Sequence, residues 1–233
     1  MSDGSHARGE PGYFEQPRHE IASLVPACAA RILDVGCAEG VLGHSLLQRG
    51  AREVVGIELN KEAAARARTR LTRVVEADAE SAELPLSLGQ FDCIIFADVL
   101  EHMRDPHAAL ARYRACLRPG AVVVASIPNV RHCSILHMLA EGRWEYQPQG
   151  IMDRTHLRFF TLAEIRKMFN DVGFRIISVG ANIDPGFEQV RKGCQSGARV
   201  DLSFGRLTLR ELAPAEVQEL FVVQYLVVAD QAA

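Results

Sequence analysis

The segment Arg31-Ile32-Leu33-Asp34-Val35-Gly36-Cys37-Ala38-Glu39-Gly40-Val41-Leu42-Gly43 constrains the chain most. An apolar strand runs into an aspartate, then into a glycine-punctuated turn, then into a helix. Open α/β sheets are built this way, and they bind ligands in the crevice outside the carboxyl ends of their strands. A dinucleotide site would open the turn to a pyrophosphate at the helix N-terminus. Asp34 would repel that phosphate. An adenosine with a cationic amino-acid tail and no phosphate suits the acid better, and S-adenosylmethionine is such a ligand.

The remaining sequence repeats the strand-then-helix pattern. Apolar or β-rich runs at 31–35, 53–57, 72–76, 91–97, 121–127, 175–179 and 221–229 predict seven strands. The run 91–97 is nearly all apolar, as the centre of a parallel sheet requires. Helices are expected at 40–48, stopped by Gly50, and at 61–71, capped by Asn60. Asp105-Pro106 opens another that runs to Leu117, before a turn at Arg118-Pro119-Gly120. Thr161 with Glu164 forms a capping box for a helix ended by Gly173. The alternation predicts an α/β fold with a doubly wound, Rossmann-like parallel sheet. Residues 1–12 read as a disordered lead-in, and Tyr13, Phe14, Ile21, Leu24 and Val25 as a short amphipathic helix. One domain is expected over 13–233, with insertions at about 129–160 and 182–214 that cover the carboxyl edge of the sheet.

Composition narrows the partners. The net charge of −3 gives no drive toward nucleic acid, whose phosphates call for a basic surface. The six cysteines include no CxxC and read as reduced thiols of a cytoplasmic protein. No apolar run reaches membrane-spanning length, and no signal-peptide core is visible, so no membrane partner is expected. Metal-ligand spacings such as HxxxH or CxxC are missing, so no metal is expected either.

Acidic residues end the next strands. Glu58 lies roughly 20 residues past the glycine turn, where a carboxylate can accept both ribose hydroxyls of an adenosine. A solvated strand end is the competing reading. Asp78, in Ala77-Asp78-Ala79-Glu80, could accept from an adenine amino group, with the next N–H donating to the ring; a surface-loop acid is the alternative. Asp98 follows the fourth strand and would lie near the amino-acid part of the ligand.

Five segments together now resemble the motif series of class I S-adenosylmethionine-dependent methyltransferases. They are Ile32 to Gly40, Gly56-Ile57-Glu58, Ala77 to Glu80, Asp98-Val99-Leu100-Glu101-His102 and Leu117-Arg118-Pro119-Gly120. The similarity is to the branch with ubiquinone-pathway O-methyltransferases and to bacterial methyltransferases that accompany glycosyltransferases. It implies a seven-stranded sheet whose last strand is antiparallel. It implies a cofactor set of Asp34, Gly36, Cys37, Gly40, Glu58, Leu59, Asp78, Ala79 and Asp98. Gly36 and Gly40 would border the methionine part, Glu58 the ribose, and Asp78 and Ala79 the adenine. Tyr13, Phe14 and Arg18 resemble a lead-in helix that closes over the cofactor. Ala38 departs from the usual glycine and predicts a slightly tighter turn with the site retained.

Methyl transfer is an in-line displacement that needs an aligned acceptor and, for an O–H acceptor, loss of a proton. Histidine is the usual base near neutral pH. The catalytic candidates are His132, His156 and His102. Against them stand a helix cap for His132, a loop-holding hydrogen bond for His102, and an ion-pair network for Asp153 to His156. Trp144, Tyr146, Phe159 and Phe160 suit either an acceptor pocket or a small local core. Arg131, Arg143 and Arg154 could meet an anionic group on the acceptor or simply face solvent. The expected partner is a small-molecule methyl acceptor carrying a hydroxyl, a sugar or a natural-product intermediate, with nitrogen and carbon acceptors open and a homodimer also open. A nicotinamide-dependent oxidoreductase and a non-catalytic methyltransferase-like scaffold are the competing classes.

Overall fold

A computed structural model describes residues 18–80, 90–194 and 197–232. α1 (His19–Leu24) precedes β1 (Arg31–Val35), α2 (Val41–Gln48), β2 (Glu53–Glu58), α3 (Lys61–Ala67), β3 (Arg73–Glu76) and β4 (Phe91–Ala97). A 3-10 turn at Leu100–His102 leads to α4 (Pro106–Arg114), β5 (Leu117–Pro128), α5 (Cys133–Ala140), α6 (Leu162–Asp171) and β6 (Phe174–Ile183). α7 (Phe187–Cys194), β7 (Val200–Phe204), β8 (Leu207–Leu212), α8 (Pro214–Glu219) and β9 (Val222–Gln231) follow.

The main sheet has seven strands in the order β3-β2-β1-β4-β5-β9-β6. β1 to β5 pair in parallel, and β9 runs antiparallel to both β5 and β6. Strand order reverses between β1 and β4, and at such a switch point the crossover helices diverge and leave a crevice. Alternation along the strands builds two cores. Leu33, Val35, Ile94, Phe96 and Val123 face α4 and α6, while Ile32, Val54, Cys93, Ile95 and Val124 face α1, α2 and α3. Both faces are apolar because helices cover both sides of a parallel sheet.

Several boundaries differ from those read in the sequence. β5 begins at Leu117 and carries Arg118-Pro119-Gly120 inside the strand. Its register against β4 shifts between Phe91 and Cys93, and that irregularity absorbs the proline and Gly120 at φ +78°. α3 stops at Ala67, and Leu71 beyond it packs into the core with Leu42 and Val54. β6 continues to Ile183 because β9 supplies pairing partners as far as Val222. The lead-in at 1–12, with Tyr13 and Phe14, lies outside the described residues, and α1 begins only at His19.

The two insertions behave differently. The first is pinned by a bridge between Asn129 and Phe160 and places Gln147 to Gln149 and Asp153 to Thr155 on the cleft. The second forms α7 and the β7–β8 hairpin. Its apolar side packs with Val217 of α8, with Leu220 and Phe221 just beyond it, and with Leu136 of α5. From 182–214, Asn182 reaches the cleft. Its hydrophobic alternation is satisfied against α5, which follows the carboxyl end of β5, and α8, which leads into β9.

Candidate active site at the carboxyl edge of the sheet

The glycine turn is fixed by contact and by backbone conformation. Gly36 has φ +69°, and a Cβ there would lie 2.6 Å from Val99 Cγ2. Only glycine tolerates both conditions. Gly36 N–H and Cys37 N–H donate to Ile57 O at 2.8 and 3.0 Å, which pins the turn to β2. Ala38 sits at φ +48°, a left-handed conformation that costs an alanine about 1 kcal/mol. Gly40, at φ +77°, precedes α2 and packs against Leu71 and Ala67, outside the cleft lining. Its close contacts are with the core.

A cleft of about 1170 Å³ opens at the switch point. Asp34, Gly36, Cys37, Glu58, Leu59, Asp78, Ala79 and Asp98 line it together. Asp34 is buried, and neither carboxylate oxygen has a hydrogen-bond partner. Burial, reinforced by the nearby Glu58 charge, pushes its carboxyl up to about 7. Glu58 accepts from Ala38 N–H at 2.8 Å and from Asn60 N–H at 2.7 Å. These bonds aim the carboxylate while leaving lone pairs on both oxygens. Asp78 accepts from Glu80 N–H at 2.9 Å, and the adjoining loop is propped from below. Arg112 and the Tyr113 hydroxyl donate to Ala79 O at 2.5 and 2.8 Å.

Asp98 takes φ +55° at the end of β4. Ser126 Oγ donates to it at 2.9 Å, and Gln224 Nε2 and Arg18 also bond to its carboxylate. Arg18 reaches Ser126 Oγ at 3.2 Å and Gln224 Oε1 at 3.3 Å as well, so a guanidinium from the start of α1 closes one wall of the cleft. Arg18 was noted in the sequence only as part of the lead-in. Its contacts on β5 and β9 could not be read there, because 206 positions separate it from Gln224.

The residues present fit S-adenosylmethionine. An unpartnered buried carboxylate asks for a cation or a donor, Glu58 offers acceptors to a diol, and Gly36 presents bare backbone to the cleft. The acids that suit the sulfonium ligand would disfavour a pyrophosphate.

The three histidines separate. His132 is the N-cap of α5: its Nδ1 accepts from Ser134 N–H at 3.3 Å, and burial lowers its basicity. It caps the helix and lies outside the cleft lining. His102 lines the cleft, with Nδ1 on Thr155 O at 3.2 Å; burial and neighbouring His156 lower its pKa. His156 stands behind it, buried, with ring centroids 4.7 Å apart and Nδ1 on Ile151 O at 2.9 Å. Asp153 accepts from Thr155 N–H and Oγ1 at 2.8 and 2.6 Å, which makes a hydrogen-bonded turn. Arg131 pairs with Glu219 at 3.0 Å and Arg143 with Glu145 at 3.3 Å, while Arg154 faces the cleft. Trp144 packs on Tyr146 and Phe159 at 6.5 and 5.3 Å, and Phe160 enters the main core, which makes a local aromatic cluster.

Among the described residues, one group could hold a metal. Glu101, His102 and His156 bring one donor atom each within 4.8 Å of one another. Sequence spacing had led us to expect no metal; it misses this cluster because His156 is far along the chain from Glu101-His102. Glu101 is buried with no partner on either oxygen, and burial, then the Asp98 charge, raise its pKa well above the carboxylate range.

Fold and cleft together define a class I, S-adenosylmethionine-dependent methyltransferase, an enzyme class. The chain belongs to the methyltransferase-domain family, which matches residues 12–179. It is similar to a ubiquinone biosynthesis O-methyltransferase of Azoarcus sp., with 28% identity over 197 residues covering 77% of this chain and 82% of that one. It is also 30% identical over 175 residues to a probable S-adenosylmethionine-dependent methyltransferase of Mycolicibacterium smegmatis, across 71% of this chain and 63% of that protein's length. The magnesium protoporphyrin IX methyltransferase of Synechocystis, solved with bound SAH, shares the fold at TM-score 0.59 and 16% identity, covering 92% of this chain and 83% of that one. A methyltransferase of Mesorhizobium loti matches at TM-score 0.59 and 21% identity, covering 91% and 95%.

Proposed function

We propose that this protein transfers a methyl group to a hydroxyl of a small, polar molecule, a sugar or a natural-product intermediate, in the cytoplasm. S-adenosylmethionine, when bound, supplies an electrophilic methyl on sulfonium. Asp34, Glu58 and Asp98 would hold its cationic and ribose parts, and Asp78 with Ala79 its adenine. The observation that carries the acceptor reading is the set of uncharged polar side chains in the cleft lining. Gln147, Gln149, Thr155, Asn182 and Gln224 line the same cleft. Amides and a hydroxyl both donate and accept, as recognition of a polyol requires. The O-methyltransferase name of the Azoarcus relative supports an oxygen acceptor. In this reading His102 takes the hydroxyl proton, which its position in the cleft lining supports.

Calorimetry with S-adenosylhomocysteine and with NADH tests the cofactor. Micromolar binding of the first and none of the second is expected, and the reverse would establish an oxidoreductase. Methyl transfer to a panel of sugars, phenols and amines then tests the acceptor. Turnover confined to amines would overturn the hydroxyl reading.

A further inference from the structure

We propose that the methyl acceptor is an acidic sugar, and that Arg154 holds its carboxylate in the cleft. The acceptor class rests on the methyltransferase reading; the role of Arg154 rests on its surroundings. Two arginines and no lysine line the cleft among the described residues, Arg18 and Arg154. The Arg18 guanidinium is shared among Glu20, Asp98, Ser126 and Gln224. The Arg154 guanidinium has no hydrogen-bond or ion-pair partner among the described residues.

A surface arginine can simply be solvated, and the other arginines of the insertion show what the alternative is. Arg131 pairs with Glu219, Arg143 pairs with Glu145, and Arg158 donates to Leu157 O and Arg104 O. Arg154 stays uncommitted although its backbone is held on both flanks. Its N–H donates to Gln147 O at 3.0 Å, and Gln147 N–H donates to Met152 O at 2.8 Å, which closes a loop over 147–154. On the other flank Asp153 accepts from Thr155 N–H and Oγ1, and Leu157 and Arg158 N–H donate to Glu101 O at 2.8 and 3.0 Å. A fixed base with a free guanidinium is the arrangement a preorganised anion contact requires.

The cleft thus contains an unpaired acid and an unpaired base that do not meet. Asp34 has no partner on either oxygen, and Asp98 is already taken by Arg18. This division of charge suits two ligands of opposite sign, a sulfonium at the acidic strand ends and an anion at Arg154. Thr155, next in the chain, places its O and Oγ1 at 3.2 and 3.1 Å from His102 Nδ1. The anion contact and the proton acceptor of the proposed reaction are therefore neighbours, and one small molecule can carry both the carboxylate and the methylated hydroxyl. A carboxylate bears one charge and matches the paired N–H groups of a guanidinium. A phosphate monoester bears up to two, and Glu58, Asp78 and Asp98 of the same cleft oppose the excess. The amides of Gln147 and Gln149, on the loop that presents Arg154, suit the remaining hydroxyls of a sugar.

Calorimetry on the full-length protein saturated with S-adenosylhomocysteine would compare glucuronate and galacturonate with glucose, galactose and glucose 6-phosphate. At least one uronate should bind about tenfold or more tightly than its neutral sugar, as a charged hydrogen-bonded contact provides. Added salt should shrink that preference, because an exposed charge pair is screened. Arg154→Ala should abolish it while S-adenosylhomocysteine still binds, and Arg154→Lys should keep part of it, since the charge remains and the paired geometry is lost. Arg143→Ala, which alters an exposed arginine of the same insertion, should leave it unchanged. Equal affinity for acidic and neutral sugars overturns the assignment, and so does failure of all of them to bind. A preference that survives Arg154→Ala overturns it too. Tighter binding of glucose 6-phosphate than of both uronates would overturn the carboxylate in favour of a phosphorylated acceptor. Each of these results leaves the cofactor cleft standing, whereas absence of S-adenosylhomocysteine binding by the unaltered protein would count against the methyltransferase reading itself.

Discussion

Asp34 concentrates the chemistry of the cleft in one side chain. Its position at the end of β1, among apolar residues, was evident from the motif; its lack of any partner was not, because the sequence does not show which donors fail to arrive. With its carboxyl raised from 3.8 to about 7, the folded protein holds a proton there that the unfolded chain has released. The ligand-free protein should therefore lose stability as pH rises from about 4 to about 7, by an amount on the order of a few kcal/mol. Urea unfolding across that window should show the slope, and Asp34→Asn should flatten it. The same substitution should weaken binding of S-adenosylmethionine at least about tenfold, since a cation favours the ionised form. Binding by the unaltered protein should accordingly tighten as pH rises through about 7. Ala38 offers a test of opposite sign. Its left-handed backbone is conformationally costly for alanine, so Ala38→Gly should raise stability by about 0.5–1 kcal/mol in urea unfolding, with cofactor affinity kept. Unchanged or lower stability would show that the turn is already relaxed around the alanine methyl.

At the scale of elements, β1, β4 and the starts of α2, α3, α4 and α6 were legible because local rules fix them. Asn60 accepts from Glu62 and Ala63 N–H at 3.0 Å, Asp105 from Ala108 N–H at 3.0 Å, and Thr161 from Glu164 N–H at 3.4 Å. The ends of β5 and β6 were not legible, because a strand continues for as long as a partner strand supplies hydrogen bonds, and that partner is β9, far along the chain. The turn after β4 obeys the same logic. Asp98 holds its left-handed backbone because Ser126 Oγ both accepts from its N–H at 3.0 Å and donates to its carboxylate at 2.9 Å. Ser126→Ala should cost about 1–3 kcal/mol in stability, since it leaves Asp98 strained and short of a donor. Chemical denaturation would register that loss. Ser126→Thr, which retains the hydroxyl, should recover most of it.

Across the whole molecule, the cleft draws on segments that are remote in sequence. β1, β2 and β4 carry the acids, the insertion after β5 carries His156, and Arg18 at the start of α1 closes on Asp98 beside Gln224 of β9. No helix among the described residues is long and apolar enough to cross a membrane. A ligand seated in such a cleft bridges several of these elements at once, so its binding should be read by the stability of the entire fold. At a concentration 100-fold above its dissociation constant, S-adenosylhomocysteine should add about 2.7 kcal/mol. For a chain of 233 residues that corresponds to a rise of roughly 5–11 °C in Tm. NADH should give no shift. In Arg18→Ala the guanidinium contacts to Asp98, Ser126 and Gln224 are lost, and the cofactor-induced rise at the same concentration should shrink by at least about 1.4 kcal/mol, a tenfold loss of affinity. Differential scanning fluorimetry with and without ligand would measure both effects. An Arg18→Ala protein with the full ligand-induced shift would mean that α1 borders the cleft without contributing to the hold on its occupant.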